Sequence, residues 1–295
     1  MTPVTRVLFL GQSCAAAMPP LVALIEAGFT IPAVVLARQP WMRLGEIQRI
    51  AAAAGIPVVW VKSAAEATDA IRSVAPEVAV AACFPWRLPR PAREIPPLGI
   101  LNIHPSLLPV GRGPEPVFWT LRRGEPVTGV TVHRMDAGFD TGPIVAQVQM
   151  PVAAGIAEPD LERDLMTRGG SLLVNALPEL AAGRLQPKPQ RSHGATYAPV
   201  PGPADWTMMS SLPAAWAWRF ARGVAPLGGP LTAIAGGTTI RVGAALDWSP
   251  DERLPEPVLN DDDGTVRVRF SPGWVRFRRH TPLKDSMPYP PQALS

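Results

Sequence analysis

Three polar residues stand where one small reaction would use them together. Asn102 and His104 are two positions apart and close the apolar run that begins at Leu98. On a strand, residues i and i+2 face the same side, so both polar groups leave the end of a buried strand together. Open α/β sheets keep their ligand sites at such strand ends. Asp140 lies in a glycine-bounded turn, Gly138-Phe-Asp-Thr-Gly142. A carboxylate near a histidine fixes its tautomer and favours its charged form. An amide donor beside an imidazolium stabilises an oxyanion. Taken singly, an Asn, His or Asp in a strand or turn is more often a cap or a turn former.

The elements that must position these residues follow from pattern. Residues 6–104 alternate short apolar runs with helical periodicity. Strands are predicted at 6–10, 31–36, 57–61, 78–82 and 99–104, and helices at 19–27, 44–54 and 64–74. Continuous apolar strands between helices argue for a parallel sheet covered on both faces, a Rossmann-like α/β layout. The turn after the first strand, Gly11-Gln-Ser13, lacks the G-x-G-x-x-G fingerprint, so no NAD or FAD is expected. A proline-opened helix is predicted at 114–123, strands at 128–134 and 144–152, and a long helix at 159–180. Residues 184–205 turn polar and irregular and read as a linker, in which His193 reads as an exposed histidine. A helix at 211–222 then precedes short strands at 231–234, 239–242, 265–270 and 274–278. Val266, Val268 and Phe270 alternate with Arg267 and Arg269, the period of a half-buried strand, and several such strands suggest a small barrel.

Composition narrows the class. The 295 residues are enough for two domains, and 47% apolar with 18% charged residues marks a globular chain. A net charge of +4 is too mild at this length to imply nucleic acid. Cys14 and Cys83 make no disulfide framework and lack zinc-ligand spacing, so no metal is expected and both read as small buried hydrophobes. The N-terminus reads as a first strand rather than a signal peptide, and no run reaches the ~18 apolar residues of a membrane span. A cytoplasmic protein without membrane contact is expected, of open oligomeric state.

Residues 102–142 resemble the folate-dependent formyltransferases, methionyl-tRNA formyltransferases above all. That family's pattern reads Asn-x-His-x-Ser-Leu-Leu-Pro, Arg-Gly-x-x-Pro, Gly-Val-Thr and Met-Asp-x-Gly-x-Asp-Thr-Gly. Here these are residues 102–109, 112–116, 129–131 and 135–142. The resemblance implies that Asn102, His104 and Asp140 are catalytic and that 10-formyltetrahydrofolate is the formyl donor. It implies a Rossmann-like formyltransferase domain at 1–183 and an OB-like barrel at 206–283, on either side of the linker at 184–205, while the proline-rich residues 284–295 read as a flexible tail.

Formyl transfer to an amine needs an oxyanion stabiliser and a proton acceptor within hydrogen-bond reach. His104 and Asn102 are assigned to the oxyanion, and Asp140 to pairing with His104 and to proton removal, directly or through water. By the resemblance, Phe84, Trp86 and Leu88 in segment 82–89 flank a pterin on one side. Asp136, Gly138 and Asp140 flank it on the other. Ser106, Arg112, Gly113 and Glu115 face the acceptor. Core packing is the competing reading for Phe84 and Trp86, and a surface charge for Arg112.

The acceptor is read from departures. Methionyl-tRNA formyltransferases carry a basic insertion after the second strand, where residues 37–46 here are short and hold two arginines. Pro114 and Glu115 replace two alanines, and Val200 replaces a lysine after the Thr-Tyr-Ala-Pro segment. Residues 206–295 hold ten Lys/Arg against eight Asp/Glu, a weak field for phosphates. These features favour a small primary amine, an amino sugar or an amino acid derivative, and disfavour tRNA. Methionyl-tRNA is the alternative acceptor, and hydrolysis of 10-formyltetrahydrofolate a second alternative.

Overall fold

A computed structural model describes residues 6–38 and 45–279. The expectations for residues 1–5, for most of the 37–46 loop and for the tail at 284–295 fall outside the described residues. The chain divides into two compact units. One holds the described residues up to Gly113 with Thr128–Met150 and Glu162–Ala198; the other holds Pro114–Val127, Pro151–Leu161 and the described residues from Pro199 onward. The units interleave along the chain, whereas the sequence pattern drew one boundary through 184–205.

The first unit is built on a seven-stranded sheet of order β3-β2-β1-β4-β5-β6-β7. Its strands are β1 (Val7–Gln12), β2 (Val34–Ala37), β3 (Val58–Val61), β4 (Val78–Ala82), β5 (Ile100–His104), β6 (Val127–Arg134) and β7 (Ile144–Pro151). β1 to β5 run parallel, and β6 pairs antiparallel with β5. The expected parallel α/β sheet is present. Val7, Leu8, Phe9 and Leu10 of β1 and Val78, Ala79, Val80, Ala81 and Ala82 of β4 are fully buried. A central strand covered on both faces buries every side chain, which is why these runs are apolar without alternation. Helices α1 (Met18–Glu26), α2 (Glu46–Ala53), α3 (Ala64–Val74) and α4 (Arg90–Glu94) separate the parallel strands; α5 (Pro116–Arg123) falls in the second unit, and α6 (Glu158–Ala181) follows β7. Ser63 caps α3 by accepting the Glu66 N–H at 3.2 Å. Five-residue α4 is absent from the sequence reading because so short a helix shows no periodicity.

The second unit is a small β domain with a six-stranded sheet of order β11-β12-β13-β10-β9-β8. β8 (Thr207–Met209), β9 (Thr232–Ala235), β10 (Thr238–Ser249), β11 (Val258–Asn260), β12 (Thr265–Arg269) and β13 (Trp274–Arg279) form it, with α7 (Ala214–Val224). β10 is longer than the expected 239–242. Its register with β13 shifts twice between Val242 and Asp247, so the bulged stretch hides the period of two. The core explains why α5 belongs here. Phe118 of α5 lies 4.9 Å from Trp206 and 5.7 Å from Phe220 of α7, ring centre to ring centre. An apolar helix face is visible in a sequence; the surface it packs on is not.

Candidate active site

β5 delivers Asn102 and His104 to one side of the sheet, as the period of two requires. Antiparallel pairing sets His133 of β6 directly opposite Asn102. His104 and His133 are 5% and 2% exposed, and Asn102 is half-buried. The Asn102 amide Nδ2 lies 3.1 Å from His133 Nε2 and donates to Asp140 Oδ1 at 3.4 Å. Asp140 Oδ1 is also 3.5 Å from His133 Nε2 and 3.7 Å from His104 Nδ1. Its second oxygen accepts the Gly113 N–H at 2.9 Å. On its other edge, His104 Nε2 lies 2.7 Å from the Gly111 carbonyl, so Nε2 carries the proton and donates it there.

The loop after β6 holds Asp140 in place. Asp136 Oδ1 accepts the Gly138 N–H at 3.0 Å and the Thr141 hydroxyl at 2.6 Å, an Asx turn. Asp140 has φ 55°, the left-handed region that costs a non-glycine residue about 1–2 kcal/mol. Gly142 packs so closely that a Cβ there would sit 1.8 Å from the Arg134 carbonyl oxygen. Gln190, from the expected linker, ties the loop down. Its Nε2 donates to the carbonyls of Asp140 and Gly142, each at 2.8 Å. Its Oε1 accepts Arg112 Nε and Nη2 at 3.1 and 2.7 Å.

Charge in the cluster follows from burial and these contacts. Burial alone would raise the Asp140 carboxyl, but His104, His133 and the Gly113 N–H outweigh it and hold it at about 2. Burial pushes His104 below the ordinary imidazole value, against the pull of Asp140 and the Gly111 carbonyl. The resting cluster at neutral pH is a carboxylate beside a neutral imidazole. Among the described residues, no group of three or more His, Cys, Asp or Glu is arranged to hold a metal ion.

The remaining expected site residues divide. Phe84 and Trp86 follow the end of β4, half-buried, edge to face at 5.5 Å, each with one side against the core. Leu88 is 4% exposed and lies in the core, so its side chain supports the segment from below. Asp136 and Gly138 shape the Asx turn. Gly113 gives its N–H to Asp140. Ser106, 4% exposed, donates to the Val110 carbonyl at 2.7 Å, and Arg112 holds Gln190. The side chains of Ser106 and Arg112, expected to face the acceptor, therefore have partners inside the unit. Glu115 heads α5 in the second unit. His133 and Gln190 were not anticipated. His133 had a signal, a histidine in the apolar strand 128–134; Gln190, far along the chain, had none.

Residues 48–177 match the model of the formyl transferase family, Formyl_trans_N. A methionyl-tRNA formyltransferase of Chloroflexus aggregans is 40% identical over 217 residues, 69% of each chain. One from Chloroflexus aurantiacus is 36% identical over 264 residues, 86% of this chain and 84% of that one. Among solved structures, the N-formyltransferase of Helicobacter canadensis, in complex with folinic acid and dTDP-3-aminofucose, is similar with a TM-score of 0.69. It covers 93% of this chain and 99% of that one at 14% identity, a likeness of fold. The chain belongs to the folate-dependent formyltransferase family and is a formyl-transferring enzyme.

Proposed function

We propose that this enzyme transfers the formyl group of 10-formyltetrahydrofolate to the amino group of methionyl-tRNA. The observation that supports this acceptor is the 36% identity to a methionyl-tRNA formyltransferase along 86% of the chain. This weighs against the sequence expectation that disfavoured tRNA. The donor supplies an already activated formyl group, so no Ser or Cys nucleophile is required. Segment 82–89 offers a flat heterocycle two half-buried rings, Phe84 and Trp86, backed by the core.

The cluster revises the division of labour drawn from sequence. A carboxyl held at about 2 is too weak a base to keep an amine's proton near neutral pH. His104, neutral at rest, accepts the proton at Nδ1, the nitrogen that faces Asp140. The resulting imidazolium lies between Asp140 and the Gly111 carbonyl, both acceptors. The Asn102 amide, turned from Asp140, donates to the developing oxyanion. His133 and Gln190 are positioning residues. His133 orients Asn102, and Gln190 with Arg112 fixes the Asp140 backbone.

A compact amine, an amino sugar or an amino acid derivative, is the second reading. The observations that favour it are the short 37–46 segment, Val200 in place of a lysine, and arginines of the second unit that already hold carboxylates. Arg267 grips Asp261 and Arg276 grips Asp247, leaving less positive field for phosphates. The purified enzyme with 10-formyltetrahydrofolate should be offered methionyl-tRNA, a panel of small amines, or neither, with products read by mass spectrometry. Formyl-methionyl-tRNA formed faster than any small product supports the first reading. A faster small-amine product replaces it with the second, and formate release without any amine replaces both with hydrolysis.

A further inference from the structure

The chain has two cysteines, and the fold brings them together. β1 and β4 are adjacent parallel strands that pair Gly11 with Ala82. Cys83 follows Ala82 directly, and Cys14 opens the turn after β1. Their thiols are in hydrogen-bond contact. Both residues are half-buried as a whole, with the Cys14 thiol itself largely covered. The Cys83 thiol, with the N–H groups of Ala17 and Ala16, holds Cys14 below the ordinary thiol value, against burial and the charge of Glu162. A lowered thiol presents more of the nucleophilic thiolate. Cys83 has φ 55° and opens the segment that carries Phe84 and Trp86.

We propose that Cys14 and Cys83 are a redox-active dithiol whose disulfide weakens donor binding at the segment Cys83 opens. The effect on the donor rests on the folate reading above. The Cys14 thiolate attacks one sulfur of a small-molecule disulfide and expels one thiolate. Cys83, giving up its proton, attacks the Cys14 sulfur of the mixed disulfide and expels the second. The protein thiols lose two electrons in total, the oxidant is reduced to two thiols, and the two protons end on them. Bond formation brings the sulfurs to about 2 Å apart, which draws Cys83 toward the turn after β1 and moves Phe84 with it.

The test treats the full-length protein with oxidised glutathione, then compares non-reducing peptide maps and tetrahydrofolate affinity before and after dithiothreitol. The expected product is a Cys14–Cys83 cross-linked peptide and an intact mass lower by about 2 Da. Affinity should fall at least about tenfold, as a shift of order 1 Å in a binding segment implies, and recover on reduction. Cys14→Ser should lose both responses. Glutathione retained on Cys14 without a cross-link would overturn the dithiol. A cross-link with unchanged folate affinity would overturn its control of the donor segment. Reduced protein with no folate affinity would sink the folate reading, while the peptide map still decides the disulfide.

Discussion

Asp140 in the first unit and Asp247 in the second each face basic side chains, but in opposite surroundings. Asp140 Oδ1 has three nitrogens at 3.4 to 3.7 Å, none an ideal hydrogen bond. Asp247 is gripped by Arg276 through two contacts, one of them Nε to Oδ1 at 3.1 Å. By distance the surface pair is the stronger. Yet the Asp140 side chain is 14% exposed, whereas Asp247 and Arg276 are 47% and 35% exposed. Water and salt screen the second pair, while the first acts in a poorly screened pocket that shifts both partners. Burial, more than contact length, decides which charges are available for chemistry.

The largest expected effect tests the buried side of this comparison. His104→Ala should lower turnover by about 10²–10³-fold while the protein stays folded, since it removes a proton acceptor. Near-normal turnover in a steady-state assay would remove His104 from the mechanism.

Acid stability sharpens the contrast further. The Asp140 pKa lies near 2 in the folded protein against about 3.9 unfolded, so folding favours its ionised form by about 2 kcal/mol. That contribution is present above pH ~4 and is lost as pH falls toward 2. His104 is also lowered, from about 6.5, so the unfolded chain takes its proton first and stability declines below that pH. Denaturant melts from pH 7 to pH 3 should show a steeper loss for the wild type than for Asp140→Asn with His104→Gln. Parallel slopes would show that the cluster is not the source.

A smaller change is expected at Gln190, which holds the loop rather than the reacting groups. Gln190→Ala should cost about tenfold in kcat, equivalent to one or two hydrogen bonds of positioning. Its pH profile should keep the shape of the wild type, because His104 and Asp140 remain. A displaced profile would mean that Gln190 sets the charge of the cluster. The smallest effect is assigned to the exposed pair. Asp247→Asn should leave the melting temperature unresolved from wild type at physiological salt, where surface ion pairs are screened. A clear loss of stability would show that the surface pair carries more weight than its exposure allows.

Much of the first unit was legible in the sequence. The apolar runs of β1, β2 and β4 announce a buried parallel sheet because strands covered on both faces have no polar side to alternate. Asn102 and His104 were legible because a strand has a period of two, and the Asp140 turn because glycines at 138 and 142 bound it. Single-residue patterns end there. His133 joins the site only through its register opposite Asn102, and Gln190 through a return of the chain from far away. Cys14 and Cys83 meet only because β1 and β4 are neighbours in the sheet order. The grouping of α5 with Trp206 and α7 likewise depends on which apolar surface that helix covers. The sequence by itself determined the chemistry on offer and the local elements, because periodicity and turn formation act over a few residues. The tertiary structure decided the partners and the charge states, because register, burial and long-range closure exist only once the strands are packed.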